Sequence, residues 1–271
     1  MVTIAVLILS SSLYFYSGSE SPVKKNIIVP EDMILVEAGE FIMGAGHREW
    51  NKPDSDELFN NKVHISDFLI GKTEITNGEW AALMYPDSLF PDSLRNLPVV
   101  NISWFEAIEF CNKKSISERM NPAYTIDEKN GTVIFDTLAN GYRLPTEAEW
   151  EFAARGGKYS NGYLFSGNDT ADYIGWYEKN ALLSVKPVKT KHRNETGIFD
   201  MSGNASEWCF TPYRIDPANA LSIIKVGKSE NAVVRGGNIA SPQSYLRITH
   251  RDLLPVYKKN KFTGFRLARS I

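Results

Sequence analysis

The densest concentration of metal-capable groups in the chain is Asp200-Met201-Ser202-Gly203-Asn204-Ala205-Ser206-Glu207-Trp208. Asp200 and Glu207 can each place a carboxylate on one cation, with carbonyls of the small residues between them completing an oxygen cage. Calcium takes about 6–8 oxygens and accepts irregular geometry. The same spacing also describes a polar turn packed under Trp208. Other reactive combinations are sparse. The four histidines (His47, His64, His192 and His250) lie far apart, and no pair has metal-ligand spacing. Cys111 and Cys209 cannot build a four-thiolate site or a disulfide framework, and they read as small buried hydrophobes. Ser241, His250 and Asp252 supply the residue types of a hydrolytic triad, but Ser241 has no strained glycine elbow. Glu147 and Glu149 are a paired-carboxylate candidate or simply helix caps.

The elements that must hold these residues are partly legible. Thr76-Asn77-Gly78-Glu79, Ser103-Trp104-Phe105-Glu106 and Thr146-Glu147-Ala148-Glu149 each set a hydroxyl three residues ahead of a glutamate. That spacing predicts a helix start, because hydroxyl and carboxylate satisfy each other's orphan N–H groups. In the second, Trp104, Ala107, Ile108 and Cys111 share one face at helical period. Strands are expected at 33–36 and 41–43 on either side of Gly39, over 63–70, and at 233–234 and 264–267. A hairpin is expected from 123–127 and 132–135 around Asn130-Gly131, two residues that tolerate positive φ. Between Gly156 and Asn231 regular signals nearly vanish. Yet Tyr163, Phe165, Tyr173, Trp176, Tyr177 and Trp208 argue for an ordered segment, held by something other than a backbone ladder, a cation being one candidate.

Composition narrows the function classes. The chain has 271 residues, 43% hydrophobic and 23% charged, enough for one large domain or two small ones. Thirty Lys+Arg against 32 Asp+Glu give a net charge of −2. This excludes a nucleic-acid clamp, which needs a basic excess on one face, and the apolar content excludes an acidic disordered chain. Val2 to Tyr16 is apolar apart from Thr3 and serines, and Ser17 to Pro22 turns small and polar. About 15 residues falls short of the ~20 of a membrane span, and fits the apolar stretch of a secretory signal. Residues 1–32 therefore read as a signal-like or anchor leader and linker, with a buried strand or helix as the alternative. Residues 33–271 read as one domain. Export would place it at the cell surface or in the periplasm, touching membrane only through the leader.

A wider pattern joins these pieces. Glu40-Phe41-Ile42-Met43-Gly44, Lys72 to Asn77, Pro98 to Trp104, Tyr142 to Gly157, Gly203 to Trp208, Arg235-Gly236-Gly237 and Gly264 to Ala268 occur in the order of the formylglycine-generating enzyme (sulfatase-modifying factor) family. The chain resembles that family over roughly residues 33–269. The resemblance implies an α+β fold: a single domain elaborated from a C-type-lectin-like core, with little regular secondary structure and bound calcium. It also implies a structural calcium site at Asp200, the carbonyls of Gly203 and Ala205, and Glu207. A second site would begin at Asp172 and the Tyr173 carbonyl, with no recognisable downstream half. In the oxidases of the family, two cysteines follow the Arg-Gly-Gly motif and bind Cu(I). The matching positions here are Ser241 and Leu246. A soft copper ion wants thiolates, so no copper and no catalytic residue is expected.

A scaffold that keeps its shape and loses its sulfur ligands is expected to bind without reacting. The ligand, a protein or other surface molecule, would meet residues 238–262, a mixture of aromatic anchors and short polar groups. The expected contacts are Asn238, Ile239, Ser241, Ser244, Tyr245, Ile248, His250, Leu253 and Tyr257, with Arg247 and Arg251 supporting the scaffold. The chain also resembles variable proteins of diversity-generating retroelements, which end in a similar Gly-Phe-Arg-Leu segment. Adenine replacement cannot yield Lys, Gln, Glu, Met or Trp from an asparagine codon, and from Asn238 to Tyr257 only Gln243 is in that set. The alternatives are a divergent oxidoreductase and a structural subunit of a surface assembly.

Overall fold

Each expected capping box closes. Thr76, Ser103 and Thr146 accept from the N–H of Glu79, Glu106 and Glu149, and each glutamate returns to the cap. They open α1 (Asn77–Met84), α2 (Trp104–Ser117) and α3 (Glu147–Ala154). The computed structural model describes residues 27–45, 53–58, 61–127, 129, 131–212, 225–227 and 230–271. The apolar segment 2–16, His47 and Asn130 lie outside the described residues. Among those described, no helix is long and apolar enough to cross a membrane.

The sheets are small. β1 (Met33–Val36) pairs antiparallel with β4 (Phe68–Gly71), and β2 (Gly39–Met43) with β3 (Asn61–Ile65). The single strand expected over 63–70 is therefore two, broken at Ser66-Asp67, where the Asp67 carboxylate accepts from the Ala38 N–H at 2.6 Å. Gly39 belongs to β2 rather than to a turn between partners. The expected hairpin forms from β5 (Tyr124–Asp127) and β6 (Thr132–Phe135). β7 (Tyr142–Arg143) precedes α3, and among the described residues between Gly156 and Asn231 a one-turn α4 (Ala171–Ile174) is the α-helix present.

β8 (Ser206–Pro212), β9 (Lys225–Gly227), β10 (Asn231–Arg235), β11 (Arg251–Pro255), β12 (Thr263–Gly264) and β13 (Ala268–Ser270) follow. One sheet runs β1-β4-β13-β7 and a second β11-β10-β8-β12. The strand expected at 264–267 is interrupted because its residues change sheets. The Phe265 and Leu267 carbonyls accept from the N–H groups of Ile75 and Gly71, and the chain then rejoins β4 as β13.

Burial follows the expected face of α2 and exceeds it. Trp104, Ala107, Ile108 and Cys111 are closed to solvent, as are Phe110 and Ser115. Phe110 stacks on Trp80 at 5.4 Å and meets Phe265 edge-on. The Ser115 hydroxyl donates to the Cys111 carbonyl and accepts from the Tyr142 N–H, so it is satisfied without water. Both cysteines are free and buried, and burial pushes their thiols up. α3 departs from amphipathicity, with only Glu149 partly open.

Gly264 sits where β12 passes the 98–101 segment, and a methyl group there would lie 2.2 Å from the Val99 carbonyl oxygen. Overpacking against backbone has no flexible neighbour to absorb it. Gly264→Ala is expected to cost ~1–3 kcal/mol or more in urea denaturation, while Leu138→Ala, at a fully solvated position, stays within ~0.5 kcal/mol.

Candidate cation centre and the loops beside it

The buried glutamates of α3 explain its unusual sequence. Glu147 is bonded by Arg251 and Glu151 by Arg155 and Arg235. Arg235 also donates to the His250 carbonyl and lies over the Trp150 ring. Glu149 takes a bidentate contact from Arg143 at 2.7 Å on both oxygens. Glu147 and Glu149 thus have different arginines, and paired acid–base work is not what their geometry serves. Arg247 binds Glu57 in the same way. Arg247 and Arg251 are scaffold, as expected.

The loop 200–205 is shaped by three left-handed residues, Asp200 (φ 59°), Gly203 (φ 90°) and Asn204 (φ 61°). At Gly203 a methyl group would sit 2.4 Å from the Trp176 carbonyl oxygen. Asn204 clamps the neighbouring segment, accepting from the Lys186 N–H and donating to the Lys186 carbonyl and to Glu74. These side-chain bonds hold much of the ladder-free stretch.

The loop brings Asp200 and Glu207 near a third carboxylate that sequence reasoning missed, Glu74. All three are buried. Glu207 accepts from Trp150 Nε1 and, at 2.6 and 2.7 Å, from Arg266, while Asp200 accepts from the Lys189 N–H. Glu74 Oε1 accepts from Asn204 and weakly from the Ala205 N–H, and its Oε2 has no partner. Burial, then the charges of Asp200 and Glu207, raise the Glu74 carboxyl well above the ordinary range. Burial pushes Asp200 up to about 6 despite the Lys189 N–H. One guanidinium thus faces three carboxyls. An orphaned buried oxygen costs about 1–3 kcal/mol, and a hard cation is one way to supply its partner. Glu74 also lines a cleft of about 210 Å³ with Asp32, Thr73, Glu79 and Lys189. Asp200 and Glu74 offer oxygens to a hard cation, whereas both Glu207 oxygens are already taken by Arg266 and Trp150. Glu74 lies two residues before Thr76, inside the family-like segment Lys72 to Asn77, but no spacing to Asp200 or Glu207 marks it as their neighbour.

At the second expected cation position, ammonium groups stand on the oxygens. The Asp172 carboxylate accepts from Lys179 and Tyr177, its carbonyl from Lys191, and the Tyr173 carbonyl from the His192 N–H.

The two positions of the family's copper ligands differ sharply. The Ser241 hydroxyl accepts from the Asn238 N–H within its own turn. Leu246 is fully buried among Phe165, Ala171, Ile174 and Tyr177. Ser241 and His250 are not joined as a triad, since both ring nitrogens of His250 lack a hydrogen-bond partner. Of the expected ligand contacts, Ile239 and Ile248 are closed to solvent, and Ile248 packs in the core with Trp150 and Phe152. Burial therefore makes these two packing residues. Ser241 and His250 are also buried, Asn238, Ser244 and Leu253 are partly open, and Tyr245 and Tyr257 are exposed.

Comparison with known proteins agrees with this architecture. The profile of the sulfatase-modifying factor enzyme 1-like domain matches residues 19–271. The chain is 37% identical over 235 residues to the chaperone protein LppX of Paenibacillus barcinonensis, covering 74% of this chain and 80% of that one. It is 26% identical to the formylglycine-generating enzyme of Thermomonospora curvata, covering 89% and 94%. Among solved structures, Treponema denticola variable protein 1 superposes with a TM-score of 0.73 at 27% identity, covering 88% of this chain and 94% of that one. A few helices, small sheets and a single α+β domain are what these relatives share with it, and the chain belongs to the sulfatase-modifying factor enzyme 1-like family.

Proposed function

We propose that the protein is an exported, non-catalytic ligand-binding protein that presents residues 238–262 on a calcium-stabilised scaffold. The observation that carries this reading is the pair of side chains at the positions of the family's copper ligands. One is a hydroxyl tied into its own turn and the other a hydrocarbon in the core. Neither can hold Cu(I), whose preferred ligands are thiolates. The likeness to a variable protein and to a protein named as a chaperone supports binding as the retained task. Exposed Tyr245 and Tyr257, with half-buried Leu253, supply contact area at low entropic cost.

Supplied with Cu(I) and a cysteine-containing sulfatase peptide, the full chain is expected to leave the peptide mass unchanged. A formylglycine product overturns the non-catalytic reading. For the binding face, Tyr245→Ala with Tyr257→Ala is expected to abolish saturable capture of a surface ligand, with Tyr257→Ala alone leaving the melting temperature unchanged. Equal capture by the double variant would move the binding face elsewhere.

The cation makes a separate prediction. A carboxyl whose folded-state value is raised contributes stability that is fully present below its unfolded value and lost as pH rises through the folded one. Chelator-treated protein should therefore melt higher at pH 5.5 than at pH 7.5, as Asp200 and Glu74 take up protons. Calcium at a hundredfold excess over Kd should add about 2.7 kcal/mol at pH 7.5, and Glu74→Gln should flatten the pH dependence. Arg266→Met, which strips the one guanidinium from the cluster, is expected to cost ~3–5 kcal/mol at pH 7.5, with part recovered on adding calcium. Melts indifferent to chelator, calcium and pH in this window would remove the ion from the account.

A further inference from the structure

A second cluster of ligand-type groups is built from residues outside the loop 200–207. Asp54 and Glu57 flank the short 3₁₀ turn 55–57. Glu57 reaches back to the Asp54 N–H at 3.2 Å, which sets both carboxylates at one end of the turn. His250 closes the cluster from the loop before β11. One ring nitrogen of His250 and one oxygen of each carboxylate all lie within 4.8 Å of one another. His250 Nδ1 is 3.6 Å from Glu57 Oε1 and 3.7 Å from Asp54 Oδ2.

The histidine is the informative member. It is 5% exposed, and neither ring nitrogen has a hydrogen-bond partner. A buried polar group in that state needs an explanation. Its ring is held by Tyr245, stacked at a centroid distance of 4.1 Å. Glu57 is held as firmly. Arg247 and Thr249 bond its two oxygens. Hydrogen bonds to a ligating carboxylate from outside the coordination sphere are the usual support of a metal site. Asp54 is the adjustable member, with its side chain 63% exposed.

We infer that Asp54, Glu57 and His250 form a site for a divalent zinc-type ion, with one position left open to water. Bonds of about 2.0–2.2 Å in tetrahedral geometry separate ligand atoms by roughly 3.3–3.6 Å. The two measured separations need to close by only a few tenths of an ångström, a motion that solvated Asp54 can make. The nearby guanidinium of Arg247, 4.0 Å from Asp54, offsets one of the two negative charges and limits affinity. One charge remains for the ion. The inference is independent of what the exposed tyrosines bind, and it concerns a nitrogen-containing donor set that calcium does not favour.

Cobalt(II) titrated into the tag-free full chain at pH 7.5 gives the test, because its visible bands report nitrogen and oxygen ligation directly. One equivalent should bind, be displaced by zinc, and persist under a hundredfold excess of calcium. His250→Ala should weaken it by about tenfold or more, and so should Asp54→Asn, which alters only a solvated side chain and keeps the test alive if the histidine variant does not fold. No stoichiometric band, or a band unchanged in Asp54→Asn and in a folded His250→Ala, would mean that the cluster is an ion pair only and overturn the assignment.

Discussion

The fold depends on ionised carboxylates kept out of water by guanidinium groups. Glu147, Glu149, Glu151, Glu57 and Glu207 are each met by an arginine, and the arginines come from four distant stretches of chain. Taking one charge out of water is expensive, and only a well-placed opposite charge offsets it. Such pairs add little net stability over apolar packing, but they tolerate few other arrangements. They fix how α3, the Arg-Gly-Gly turn and the last two strands face one another. Four of the seven segments by which the chain resembles its family, 142–157, 203–208, 235–237 and 264–268, hold such partners.

That layer also separates scaffold from surface. Arg247 and Arg251 lie in the loop expected to meet ligand, yet both point inward to Glu57 and Glu147. Leu246 and Ile248 alternate with them and fill apolar space. What is left open on this face is a small set of side chains, Tyr245 and Tyr257 foremost. Substitution of the open residues would leave the ionic layer untouched, which is the property a variable surface needs.

Local chemistry made part of this legible in the sequence. Capping boxes state their own geometry within four residues, so all three long helices start where the spacing places them. The hairpin at 124–135 follows from a turn dipeptide. What failed was anything decided by partners far along the chain. The break at Ser66-Asp67 depends on an N–H from residue 38, and the end of β12 on residues 71 and 75. Glu74 lies in a family-like segment but has no metal-ligand spacing, and its importance appears only when Asp200 and Glu207 are folded against it. Solvent exposure in the 238–257 loop was equally invisible, because Ile239 and Tyr245 differ in environment and not in pattern.

The place of β13 carries a kinetic consequence. It lies between β4 and β7, and pairs through Ala268 with Ile70 and Arg143. Strand β4 therefore waits for a neighbour nearly two hundred residues downstream. At ~5–20 residues per second, translation holds that edge bare for on the order of 10–40 s. During this interval the nascent chain offers hydrogen-bonding groups to any passing strand, so the late closing of this sheet is where assistance against misassembly would matter most.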